Sequence, residues 1–372
     1  MIRSVSQIQS NQTMLMLELL RSSILKNELT VKQFQIDWDS LMDQSADEGV
    51  LAWVWDGILH LPKELQPPRL QRINWDLSSG EIISNYEKHN QILKQIIDEC
   101  TRHGIRLLLL KGISLSHLYT EPQYRPCGDI DIFVFDDYNL FNRLYSSCYD
   151  YNYCHHDVFV LNGVRIENHR DFIDTDTRQR KDINAYFHSC LKDVRLTTWG
   201  YYELQAMPYL IFLTVHSMHH IYCDTTLNMR SLADFAMFLK THSDELHPDE
   251  CFQLLKRFNI YKGFEAVLYM SEFVLGISMD QYHQHSLPTK YVLFLKNWIY
   301  SGYAKPLTKN VALKRGLFSY LEMMRDKIRI RRYMLRLYDK GRYYNLNSVK
   351  HRILELICSL GRKRSSVGCK VN

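Results

Sequence analysis

Apolar positions near the start of the chain recur with helical rather than alternating spacing. Met14, Leu15, Leu17, Leu19 and Leu20 open one such run, and Val50 to Leu59 (VLAWVWDGIL) forms a second. Pro62, Pro67 and Pro68 then punctuate a loop. Residues 1–84 carry no group arranged for chemistry, so the pattern assigns them to packing. From Ser84 to His103 the residues Tyr86, Ile92, Leu93, Ile96, Ile97 and Cys100 fall at three- and four-residue intervals, which predicts a helix that Gly104 can end.

The pattern then changes. Ile105–Leu110 reads as a strand, Lys111-Gly112 as a turn, and a short helix with a Pro-bounded loop leads to a second strand, DIDIFV, beginning at Asp129. Asp136 or Asp137 can cap a helix running through Leu144. His155–Leu161 and Val164–Arg170 flank Asn162-Gly163, the strongest local hairpin signal, because both turn positions need positive φ. From about Tyr201 the spacing is helical again, with Ala206–Tyr222, Met229–Lys240 and further helical character to about Leu360. The expected fold is α+β. A small mixed-sheet core at 85–200 is flanked by an N-terminal helical region at 1–84 and a C-terminal helical domain at 201–372.

Strand parity brings out the chemistry. Side chains two apart in a strand share a face, so Asp129 and Asp131 point together from an otherwise apolar strand. Two neighbouring carboxylates taken out of water repel each other and call for a counter-charge, usually a divalent metal. The hairpin fixes a second parity: Val164, Ile166 and Asn168 share one face, and Arg165, Glu167 and His169 the other. Glu167 is thereby a candidate third carboxylate, provided its strand lies beside the first.

Composition narrows the class. In 372 residues, 46% are hydrophobic and 23% charged, as in an ordinary globular protein with a substantial core. Nine scattered cysteines without a CxxC pair give no zinc or disulfide framework and suit a reducing compartment. The N-terminus has no apolar signal-peptide core, and no apolar run approaches the roughly 18–20 residues of a membrane span, so a cytoplasmic location is expected. The net charge of +5 is uneven: residues 325–372 hold 14 Lys and Arg against 3 Asp and Glu, leaving the rest of the chain net acidic.

Lys111-Gly112, Tyr119, Arg125-Pro126, Gly128-Asp129-Ile130-Asp131 and Ile166-Glu167-Asn168-His169 together resemble the uncharacterised bacterial nucleotidyltransferase family of the polymerase-beta-like superfamily. His216 and His220, then Arg230 and Asp234, match its later helical pattern, and the resemblance spans about residues 85–240. It implies a transferase moving NMP from an NTP to an acceptor, with Mg²⁺ or Mn²⁺ held by Asp129, Asp131 and Glu167. Nucleotide contacts would come from Lys111, Gly112, Ser114, Arg125, Gly128, His216, His220, Arg230 and Asp234, and His169 would face the acceptor. The chain departs from the wider superfamily at the phosphate turn. Ile113 follows Gly112 where Ser or Gly is usual, and Ser114 comes one place later.

Several of these residues have plainer readings. Arg125 can bind phosphate or pair with Asp129, and Arg230 and Asp234, four apart on a helix, can form a salt bridge. His216 and His220 lack the further ligands of a zinc site, so they either line the nucleotide cleft or bond to Asp234. His169 can instead bond within the sheet, and His155 and His156 read as ordinary strand residues. The tail interleaves Arg with Tyr333, Tyr338, Tyr343 and Tyr344. That suits nucleic acid, an acidic membrane surface, or a solvated helix with snorkelling arginines. Two other functional classes follow: an RNA- or tRNA-binding module on a degenerate core, or a membrane-face accessory of surface-polysaccharide synthesis.

Overall fold

The computed structural model describes residues 2–29, 36–135, 138–152, 156–173, 178–223 and 227–284. The capping positions Asp136 and Asp137, His155, the helical stretch expected beyond 284 and the basic tail 325–372 lie outside these residues.

Helices α1 (Ile2–Leu25), α2 (Trp38–Asp47) and α3 (Leu51–Leu59) form the N-terminal layer. Asp37 caps α2 by accepting from the Ser40 amide at 3.1 Å. Helix α4 (Arg69–Arg102) starts directly after Pro67-Pro68, well ahead of the Ser84 start that periodicity suggests. Its first half hides the helical signal because Leu70 and Leu77 face solvent while Trp75 and Ser79 turn inward. Gly104, at φ +66°, follows α4 as expected.

Strand β1 (Leu107–Leu109) leads through Lys111-Gly112 into a single helical turn, α5 (Ile113–Ser116), and then to β2 (Asp129–Val134). Helix α6 (Tyr138–Leu144), β3 (Tyr149–Asn152), β4 (His156–Leu161) and β5 (Val164–His169) follow. Asn162 and Gly163 take φ of +50° and +78°, which closes the β4–β5 hairpin in the two-residue form expected for this dipeptide. Helix α7 (Arg178–Cys190) and the two-residue strands β6 (Arg195–Leu196) and β7 (Tyr202–Glu203) complete the α+β core. Helices α8 (Ala206–Cys223), α9 (Met229–Thr241), α10 (Pro248–Arg257) and α11 (Tyr261–Leu275) come last.

The seven strands form one mixed sheet in the order β3-β4-β5-β2-β1-β7-β6. β2 pairs antiparallel with β1 and parallel with β5. One face, carrying Ile130, Ile132, Val134, Phe159 and Ile166, joins Ile92, Leu93, Ile96 and Ile97 of α4 in a compact core. The other, through Leu108, Leu110 and Phe133, joins a larger core that runs from α1 and α3 to α8, α9 and α11. Arg21 of α1 ties these layers together by donating from Nε to the Val274 carbonyl at 3.0 Å. No described helix is long and apolar enough to cross a membrane.

Candidate active site

Pairing in the sheet places the acidic residues. β2 and β5 run parallel with Asp129 opposite Arg165, Asp131 opposite Glu167, and Phe133 opposite His169. The parity of each strand therefore carries across the pair, and the carboxylates of Asp129, Asp131 and Glu167 offer oxygens within 4.8 Å of one another. Oxygen donors in such a group fit a hard cation such as Mg²⁺ or Mn²⁺.

Asp131 is fully buried at the centre of this group. Lys111 Nζ donates to its Oδ2 at 2.6 Å, and His169 Nε2 donates to its Oδ1 at 3.0 Å. Burial opposes its ionisation, but Lys111 and His169 outweigh burial and hold the carboxyl well below the usual carboxylate range. Lys111 shows the reciprocal effect: burial favours the neutral amine, yet Asp131 and Asp129 keep its pKa above the ordinary value. Asp129 is half-buried and makes no ion pair among the described residues. Glu167 has the opposite balance, because burial and the neighbouring Asp131 push its pKa up to about 7. Arg165 Nη2 pairs with its Oε1 at 2.6 Å from the more exposed side.

Gly112 joins β1 to α5 with φ +69° and ψ −112°. A Cβ here would meet the Asp129 carbonyl oxygen at 3.3 Å, so the turn needs a residue without a side chain. The helix that follows has only four residues, and its dipole adds little to any phosphate contact. Ser114 is buried, with its hydroxyl 2.8 Å from that of Tyr209 on α8.

Beside the carboxylates lies a cleft of about 240 Å³. Lys111, Gly112, Arg125, Gly128, Asp129, His216, His220, Arg230 and Asp234 all line it, with Leu213 and Phe235 as apolar walls. The loop before β2 and helices α8 and α9 thus bring together residues more than a hundred positions apart. A larger cavity of about 530 Å³ lies at the end of α1, lined by Ser22, Lys26, Glu28 and His60 among others, and gathers no comparable set of groups.

Within the cleft the pairings differ from the simplest local ones. Arg125 pairs with Asp234 rather than Asp129: Nε donates to Oδ1 at 2.9 Å and Nη2 to Oδ2 at 2.7 Å. The Tyr119 hydroxyl donates to the same Oδ1 at 2.8 Å. With Asp234 so engaged, Arg230 turns elsewhere and donates from Nη1 to the Pro126 carbonyl at 3.1 Å. Its Nε has no hydrogen-bond partner among the described residues. Burial and the nearby Arg125 lower its pKa from the ordinary value. His216 and His220 face the cleft and each other, Nε2 to Nε2 at 3.0 Å. Burial and His220 hold His216 well below the usual histidine pKa, so it stays neutral.

The hydrophobic pattern does not announce two further residues. His156 pairs across the sheet with His169, and its Nε2 lies 3.6 Å from Glu167 Oε2. Glu48, buried at the end of α2, accepts from the Met229 amide at 2.9 Å and from the Arg230 amide through its own carbonyl at 3.1 Å. The β4–β5 parity could have signalled His156; nothing local signals Glu48.

Residues 35–276 match the model of a family described as uncharacterised nucleotidyltransferase. No curated protein matches, and no solved structure matches.

Proposed function

The chain belongs to the uncharacterised nucleotidyltransferase family, and on that premise we propose that it moves NMP from an NTP to an acceptor hydroxyl over the face of β2 and β5. The observation that carries this reading is the meeting of Asp129, Asp131 and Glu167 within 4.8 Å beside a cleft lined by Lys111 and Arg230. In the reaction the acceptor oxygen bonds to the α-phosphorus, the bond to the pyrophosphate oxygen breaks, and the hydroxyl proton leaves.

Asp129, Asp131 and Glu167 would hold Mg²⁺ or Mn²⁺. Such a cation neutralises charge that develops on the transferring phosphoryl group and on pyrophosphate. Lys111 fixes Asp131 and adds positive charge to the lining of the cleft. Arg230 is better placed than Arg125 to take a phosphate oxygen, because its Nε is not already bonded, whereas Arg125 is held by Asp234. Glu167, a carboxylate on the same face as Asp129 and Asp131, would accept the proton from the acceptor hydroxyl. The neutral His216, with His220, Leu213 and Phe235 beside it, provides the wall against which a base or sugar would lie.

The test is to incubate the full chain with each α-labelled NTP, Mg²⁺ or Mn²⁺, and cell extract, then separate protein, RNA and small molecules. One NTP should label one fraction, and Asp129→Asn and Asp131→Asn should abolish the label. Undiminished labelling by both variants, or no label from any NTP, overturns the proposal.

A further inference from the structure

A second group of ligating side chains lies next to the three carboxylates and shares one of them. β4 is antiparallel to β5 with His156 opposite His169, and Glu167 sits two residues before His169 on β5. All three side chains therefore project from the same face of adjacent strands. Their ligand atoms lie within 4.8 Å of one another. His156 Nε2 is 3.6 Å and His169 Nε2 is 3.8 Å from the same atom, Glu167 Oε2. The two rings stand 5.0 Å apart and are inclined at 43° to each other.

Exposures of 6%, 8% and 4% place His156, Glu167 and His169 inside the protein, held by strands rather than loops. Separations of 3.6 and 3.8 Å are close to those that two ligands of one cation keep from each other. Two imidazole nitrogens and one carboxylate oxygen form a donor set unlike the all-oxygen one beside it. Imidazole suits first-row transition metals such as Mn²⁺, Co²⁺ or Zn²⁺, whereas Mg²⁺ prefers oxygen and keeps its waters.

The geometry points to a transition-metal site formed by His156, Glu167 and His169, distinct from the three-carboxylate group and joined to it through Glu167. His169 would bind through Nε2, giving up its 3.0 Å contact to Asp131 Oδ1 and carrying its proton on Nδ1. The two sites are then coupled, since a cation at one withdraws electron density from the carboxylate that serves the other. The inference concerns metal binding alone and holds whether or not the chain transfers nucleotides.

Titration of the metal-stripped full chain with Co²⁺, followed by visible absorption and equilibrium dialysis, tests it. One Co²⁺ should bind with ligand-field bands in the visible region, and excess Mg²⁺ should not displace it. His156→Ala should weaken binding at least tenfold while Asp129→Asn weakens it less. X-ray absorption of the Zn²⁺-loaded wild-type chain should show scattering from two imidazoles, a readout that needs no variant. Unchanged Co²⁺ affinity in His156→Ala, equal loss in Asp129→Asn, ready displacement by Mg²⁺, or absence of imidazole scattering overturns the assignment.

Discussion

Arg125 and Asp234, 109 residues apart in sequence, meet in a two-pronged ion pair with hydrogen bonds of 2.9 and 2.7 Å. Both side chains are about 5% exposed. The pair joins the loop before β2, which sets the position of Asp129, to α9, which carries Arg230. Removing one partner would leave a buried charge, a change that costs about 3–5 kcal/mol where it has been isolated. Asp234→Ala should therefore melt many degrees lower than the wild type in a thermal scan. Arg125→Lys keeps the charge but loses the fork, and should fall between the two. If Asp234→Ala melts with the wild type, the pair does not hold the cleft together.

Asp129 and Asp131 should respond differently to the same substitution. Asp131 is fully buried and bonded to Lys111 and His169, so Asp131→Asn removes the charge that both partners face. Asp129 is half-buried with no ion pair among the described residues. Asp129→Asn should keep the wild-type melting temperature while losing nucleotidyl transfer by about a hundred- to a thousandfold, as expected when a charge-stabilising group is lost. Asp131→Asn should lose both transfer and about 3 kcal/mol of stability. Denaturant titration of the two variants, run beside the labelling assay, distinguishes them.

What the sequence reveals about the site follows from how locally each feature is encoded. The face shared by Asp129 and Asp131, and that shared by Glu167 and His169, need only the two-residue period of a strand. The Asn162-Gly163 turn sets the hairpin, and the parallel pairing of β2 with β5 confirms that the two faces coincide. The Arg125–Asp234 pair could not be read in this way. Arg125 has Asp129 four residues away and Asp234 has Arg230 at helical spacing, so local reasoning favours both wrong partners. Only the docking of α9 against the loop decides between them. Ser114 illustrates the same limit: proximity to Gly112 suggests a phosphate ligand, whereas its hydroxyl meets Tyr209 from a helix far along the chain. The early start of α4 stayed hidden because its outward apolar residues, Leu70 and Leu77, break the amphipathic pattern.

Gly112 and Gly128 flank the cleft, yet only one is required by the fold. Gly112 has φ +69° and a neighbouring carbonyl oxygen 3.3 Å from where a Cβ would stand. Gly112→Ala should cost about 1–3 kcal/mol, the usual range for a side chain forced into such backbone, and should displace Asp129. No atom lies within 4 Å of the corresponding position at Gly128. Gly128→Ala should therefore fold with wild-type stability. If the cleft binds NTP as proposed, the added methyl group should raise KM for the nucleotide more than it lowers kcat. Equal stability of the two variants in urea unfolding would show that the Lys111-Gly112 turn is not strained by a side chain.

His216 gives the fold a dependence on pH. Burial and His220, with smaller effects from Lys111 and His219, depress its pKa well below 6.5, against a lesser opposing effect of Asp131. In the unfolded chain the imidazole takes up a proton as pH falls through about 6.5, while the folded chain keeps it neutral. The unfolded state then binds more protons than the folded one, so stability rises with pH across this interval and is lost as pH falls below it. Above about 7 the effect vanishes because both states are neutral. Melting temperatures of the wild type and His216→Gln, measured at pH 7.5 and 5.5, isolate this contribution from other titrating groups. The wild type should lose more stability between the two pH values than the variant does. An identical loss in both proteins would mean that His216 protonates as readily in the cleft as in water.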